Sequence, residues 1–147
     1  MDDVRSEHAR REAEGWAAFE DALSRVPEDR LTAPGVLPGW TVKEMLHHVT
    51  GWIRECIAHL DRMREGTFVE PEESDEWVNA RNATFADEAR SLDVASVRSE
   101  LDAARDMILR RWQDLPEIDD VAVEWFAGET YEHYEEHLPD LRSASRA

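Results

Sequence analysis

Between Thr41 and Met63 the chain reads TVKEMLHHVTGWIRECIAHLDRM. Its apolar positions are Val42, Leu46, Val49, Ile53, Cys56, Leu60 and Met63, which after the first step recur at spacings of 3-4-3-4-3. A half-buried strand would alternate at a period of two. This pattern is instead the seam of a long helix packed lengthwise against other helices. Thr41-Val42-Lys43-Glu44 has capping-box form, with Thr41 at the N-cap and Glu44 at the third helical position. One apolar stripe on a helix does not stabilise it alone, so the rest of the chain must supply partners.

Three further stripes meet that need. Trp16, Phe19, Leu23 and Val26 predict a first helix from about Asp3 to Val26. Asp93 is an N-cap for a helix carrying Val97, Leu101, Ala104, Ile108, Leu109 and Trp112. Tyr131, Tyr134, Leu138 and Leu141 mark a last helix from about Ala127 to Arg142. Proline and glycine separate these elements at 27–40, 66–74 and 115–120. Ser74 caps a shorter helix running to about Arg90, inside the long connection of 66–92. The only strand-like run is VAVEWF at 121–126, and it is short. The expected fold is all-α: a four-helix bundle with a short extra helix between helices 2 and 3, in one domain spanning 1–147.

Composition narrows the function. The formal net charge of −17 leaves no basic face for phosphates, which argues against nucleic acid and against anionic membrane surfaces. No apolar run approaches the roughly 18–20 residues of a membrane span, and the first residues have no apolar signal-peptide core. Cys56 is the single cysteine, which fits a reducing cytoplasm and sits on the seam as a buried apolar thiol. Six tryptophans leave apolar surface for a homodimer through helix faces, although no particular face is marked.

The histidines carry the chemistry. His133 and His137 lie one turn apart on the last helix and project from one face, beside its seam. Such a pair either places two imidazoles on one ion or forms a solvated face. A catalytic site of the zinc type needs a third protein ligand from elsewhere. On the second helix His48 shares a flank with Met45 and Trp52, close to Trp40, in an apolar setting suited to a small-molecule site. Adjacent His47 points about 100° away, nearer the polar side. His8 and His59 read as surface residues.

Two segments resemble the DinB/YfiT-like superfamily. In GWTVKEMLHHVTGW (39–52) the matching residues are Trp40, Thr41, Glu44, Leu46, His48 and Trp52. In TYEHYEEHLPDLR (130–142) the match is the His-x-x-x-His of the last helix. The resemblance implies a four-helix bundle whose divalent metal, zinc or nickel, is held by His48, His133 and His137. His47 is one position off and is not carried over. Within the superfamily the chain is similar to two branches. One holds thiol-dependent S-transferases and the N-terminal domain of mycothiol-dependent maleylpyruvate isomerase. The other is the ClbS/DfsB-like group, whose middle region 76–105 loosely resembles.

The function implied is activation of a low-molecular-weight thiol, or of water, against a small electrophilic substrate. Glu44 and Glu129 each stand one turn before a proposed ligand and are candidate hydrogen-bond partners for it. Trp52, Tyr131 and Tyr134 are candidates for the substrate pocket, against the alternative of core packing. The alternative functions are a hydrolase of the ClbS/DfsB type and a protein that sequesters a small molecule without transforming it.

Overall fold

The computed structural model describes residues 3–146. Six α-helices follow in order: α1 Asp3–Ser24, α2 Val42–Glu65, α3 Asp75–Arg90, α4 Val94–Asp114, α5 Asp120–Glu129 and α6 Tyr131–Ser145. A single 3-10 turn, Glu28–Arg30, interrupts the first connection. The architecture is the expected bundle. Helix α2 packs against α4, α1 against α6, and α5 against both α2 and α6. The connection between α2 and α4 carries α3, which lies on α2.

The helix starts follow their capping chemistry. Thr41 Oγ1 accepts from the Glu44 N–H at 3.1 Å, and Glu44 Oε1 accepts from the Thr41 N–H at 3.1 Å. Ser74, Asp93 and Asp119 each accept from the backbone three residues on, at 3.1, 2.7 and 2.8 Å. Such caps are typically worth about 1 kcal/mol apiece. Helix α2 ends at Gly66, whose φ of 77° is the left-handed conformation that glycine adopts without a Cβ penalty. The α2 seam forms the centre of the core, with Val42, Leu46, Val49, Ile53 and Cys56 all fully buried.

Two boundaries differ from expectation. VAVEWF is helical and lies within α5. Asp119 caps that helix, and Ala122, Trp125 and Phe126 are buried at helical spacing. A six-residue apolar run does not distinguish strand from helix by periodicity, and here packing on α2 decides. The expected last helix is two helices. Thr130 stands between them at φ −114° and ψ −103°, and its hydroxyl donates to the Phe126 carbonyl at 2.6 Å. That break re-aims α6 relative to α5 while keeping both against α2.

Glycine is required at one packing contact. A Cβ at Gly51 would lie 2.6 Å from the Phe85 ring, so the missing side chain lets α3 seat on α2. Elsewhere in the bundle a polar cluster ties three helices. Glu12 is 0% exposed, yet it accepts from Arg105 Nε and Nη2 at 2.8 and 2.7 Å and from the Tyr134 hydroxyl at 2.9 Å. A buried carboxylate is tolerated only with such full pairing.

Candidate metal centre

His48 on α2 and His133 and His137 on α6 converge. His133 Nε2 stands 3.2 Å from His48 Nε2 and 3.1 Å from His137 Nε2. One ligand atom from each of the three lies within 4.8 Å of the others. The sequence brings them together through two registers. The α2 seam turns His48 toward α6, and the i, i+4 spacing stacks His133 and His137 on one face.

The electrostatics suit cation binding. Burial pushes His48 down to about 4, aided by the neighbouring His137. Burial also pushes His133 down to about 3, with His48 and His137 adding to the effect. Both rings are therefore neutral at pH 7 and carry a lone pair. His137 Nδ1–H donates to Asp140 Oδ2 at 3.1 Å, which leaves its Nε2 as the lone-pair nitrogen facing the cluster. Trp40 covers the cluster, its ring centroid 5.0 Å from that of His48 and 5.7 Å from that of His137.

The donor set fits a divalent ion of the zinc or nickel kind. Imidazole nitrogens bound at about 2.0–2.1 Å from one ion stand roughly 3 Å apart, close to the separations of His133 Nε2 from His48 and from His137. His133 is 6% exposed and its Nδ1 has no hydrogen-bond partner among the described residues.

A cleft of about 280 Å³ opens onto His48 and His133 and is walled by Trp52, Asn82, Glu129 and Glu136. Trp52 is held by its indole N–H, which donates to Asn82 Oδ1 at 2.8 Å. Glu73, Gly128 and Glu129 continue into an adjoining cavity of about 350 Å³, also lined by Glu70, Glu124 and Trp125. Burial, followed by the charges of Glu73, Glu136 and Glu55, pushes the Glu129 carboxyl up to about 8.

Several site assignments made from the sequence change. Tyr134 does not face the cleft: it is fully buried on α1, bonded to Glu12 and packed on Trp16 and Phe19. Tyr131 also turns to α1, where its hydroxyl lies 2.9 Å from His8 Nδ1. One α6 face cannot serve both α1 and the cleft, and the α1 packing takes the tyrosines. Glu44 spends its carboxylate on the capping box. Glu129 lines the cleft but makes no hydrogen bond to His133 among the described residues.

The other histidines are not surface groups. His47 is 1% exposed and its Nε2–H donates to Glu88 at 3.0 Å. His59 is 2% exposed and lies against Trp125, with ring centroids 4.2 Å apart. His8 is half-buried. In each case an element distant in sequence covers the ring. Asp140 was overlooked, although its i, i+3 spacing from His137 is a legible signal. Glu12 had no such signal, since it stands in a helix rich in charge.

A helical bundle with a histidine cluster between α2 and the last helix defines the class, the DinB-like superfamily. The family model described as the mycothiol maleylpyruvate isomerase N-terminal domain matches residues 13–132, and the chain belongs to that family. The matched span contains His48 and ends one residue before His133. The crystal structure of the mycothiol-dependent maleylpyruvate isomerase is similar, with a TM-score of 0.73 and 17% sequence identity. The likeness covers 93% of this chain and 60% of that one, so this chain spans less than two thirds of that protein's length. At that identity the likeness concerns the fold. A search of curated proteins returns no match. Among the described residues no helix is long and apolar enough to cross a membrane.

Proposed function

We propose that the chain is a metal-dependent enzyme that activates a low-molecular-weight thiol, such as mycothiol, for attack on a small electrophile. The observation that carries this reading is the convergence of the His48, His133 and His137 Nε2 atoms beside a cleft that His48 and His133 line. Family membership supports a thiol over water as the activated group.

When bound, a divalent ion supplies Lewis acidity that makes a thiol ionise near neutral pH. The chain's residues do the rest. Desolvation keeps His48 and His133 neutral and available as ligands. Asp140 fixes the tautomer and orientation of His137. Trp40 packs on the His48 and His137 rings, and Trp52, anchored by Asn82, walls the cleft. Glu129, whose carboxyl burial pushes up to about 8 in the metal-free chain, lines the same cleft and is placed to exchange a proton with a reacting group.

Elemental analysis of the untagged protein beside a His133→Ala/His137→Ala variant tests the reading. About one divalent ion per chain is expected in the first and none in the second. Product analysis with a reactive alkene should then give a thiol-dependent product. A folded wild-type protein that takes up neither zinc nor nickel would end the proposal. Unchanged electrophile, recovered one per chain, would make it a sequestering protein instead.

A further inference from the structure

Val78, Asn82, Phe85 and Ala89 recur at helical spacing along α3. The first two line the cleft beside the histidines, and the last two are buried. Asn82 is half-buried and is the polar member of this stripe. An amide there is disfavoured by helix propensity and by loss of water, so its hydrogen bonds must be accounted for.

The Trp52 indole N–H donates to Asn82 Oδ1 at 2.8 Å. An indole N–H only donates, so the atom it meets is the oxygen, and this sets the orientation of the amide. Trp52 is itself fixed: it is 6% exposed, with ring centroids 5.9 Å from Trp77 and 5.7 Å from Phe85. Against the burial and the neighbouring His137 that lower His48, the Asn82 side chain acts on that ring as a hydrogen-bond partner that raises it. Favouring the charged ring is the action of an acceptor, so the oxygen is again the atom involved. The Nδ2 group, on the other side of the carboxamide, has no acceptor among the described residues.

The rest of the cleft has little to donate to a substrate oxygen. No lysine or arginine lines it. The Nδ1 atoms of His48 and His133 are buried, and the Trp52 N–H is taken by Asn82. Glu129, whose carboxyl burial pushes up to about 8, donates only while protonated. Asn82 supplies the fixed, uncharged donor. Such a donor matches an uncharged carbonyl oxygen, whereas a carboxylate is ordinarily met by arginine or lysine. Thiolate addition to a carbonyl-activated alkene makes the donor matter. A C–S bond forms at the β-carbon, the alkene π bond breaks, and its electron pair moves onto the carbonyl oxygen. The proton given up by the thiol then returns to the α-carbon. Charge grows on that oxygen during the step, where a placed N–H stabilises it.

Resting on the proposed function, we infer that Asn82 is a specificity-determining residue of this chain. Its Nδ2–H donates to an uncharged carbonyl oxygen on the electrophile, so carbonyl-activated alkenes are favoured over electrophiles without an oxygen beside the reacting carbon.

Asn82→Asp separates this role from mere support of Trp52. It keeps an oxygen for the indole N–H and replaces the Nδ2 donor by an acceptor. Cyclohexenone and benzyl chloride are compared as substrates with mycothiol, and cyclohexanone serves as an unreactive probe. In the wild-type protein cyclohexanone should move the side-chain amide signals of Asn82 in nitrogen–proton NMR spectra. Asn82→Asp should lower kcat/KM for cyclohexenone at least about tenfold, leave that for benzyl chloride within about twofold, and keep the Trp52 indole signal in place. Equal losses on the two electrophiles, no loss on either, or Asn82 signals that cyclohexanone leaves unmoved overturn the inference. The cyclohexanone titration needs no catalysis, which keeps the two readings apart. Signals that move in a chain without thiol transfer reject the proposed chemistry and retain Asn82 as a carbonyl-binding residue. Unmoved signals in an active enzyme reject the role of Asn82 alone.

Discussion

The Tyr134 hydroxyl donates to Glu12 Oε2 at 2.9 Å inside the bundle, joining α6 to α1 at a carboxylate that Arg105 also grips from α4. This bond assigns Tyr134 to stability rather than to substrate. Tyr134→Phe should cost about 1.5–3 kcal/mol in urea denaturation, the worth of one hydrogen bond to a charged group. Glu12→Ala should cost more, about 3–5 kcal/mol, because it strands Arg105 and leaves a polar hole. Metal content should be unchanged in Tyr134→Phe; a loss of metal there would return the tyrosine to the site.

Among six histidines, only three should matter for metal. His47 is as buried as His133, but it is bonded to Glu88 on the α3 side of α2. His47→Ala should retain about one ion per chain, whereas His133→Ala should lose it. Equal losses in the two variants would mean that burial, not the cluster, governs the measurement.

Asp140 accepts the Nδ1–H of His137 at 3.1 Å and so positions a ligand without being one. Asp140→Asn should lower metal affinity by roughly 10–100-fold in competition with a chelator. Global stability should shift little, since the Asp140 side chain is partly exposed. An unchanged affinity would show that His137 is oriented by packing alone.

The metal-free chain should be most stable near pH 6.5. His48 and His133 titrate at about 4 and about 3 in the folded state, against an ordinary value of 6.5. Glu129 titrates at about 8, against an ordinary 4.5. Between pH 4.5 and 6.5 the unfolded chain holds the two histidine protons and the folded chain holds only the glutamate proton. Stability therefore rises with pH in that window. Between 6.5 and 8 only the folded chain holds its proton, so stability falls. Glu129→Gln should remove the fall and leave the rise, as followed by urea midpoints across pH. A fall that persists in that variant would place its origin elsewhere.

Gly51→Ala would push a methyl group into the Phe85 ring, where a Cβ would lie 2.6 Å away. The expected cost is about 1–3 kcal/mol, with α3 lifted from α2. Phe85→Leu in the same chain should recover part of it, and full additivity of the two changes would refute the contact.

The sequence by itself determined the helices, most of their caps and the stripes they bury, because spacing, capping and turn chemistry act over a few residues. The 3-4-3-4-3 run of α2, the Thr41/Glu44 box and the i, i+4 pair of His133 and His137 were all legible for that reason. Residue spacing alone left His48 and the α6 pair unconnected; their pairing came from resemblance, and the packing of α6 on α2 brings His133 Nε2 to 3.2 Å from His48 Nε2 and 3.1 Å from His137 Nε2. Tertiary structure alone decided which α6 face meets α1, and with it the removal of Tyr131 and Tyr134 from the cleft. It also decided the burial of His47, His59 and Glu12 and the break at Thr130 between α5 and α6. The burials depend on neighbours about 40 to more than 100 residues away, such as Glu88 for His47 and Arg105 and Tyr134 for Glu12. Local periodicity states which face of a helix is apolar, but only packing states what that face meets.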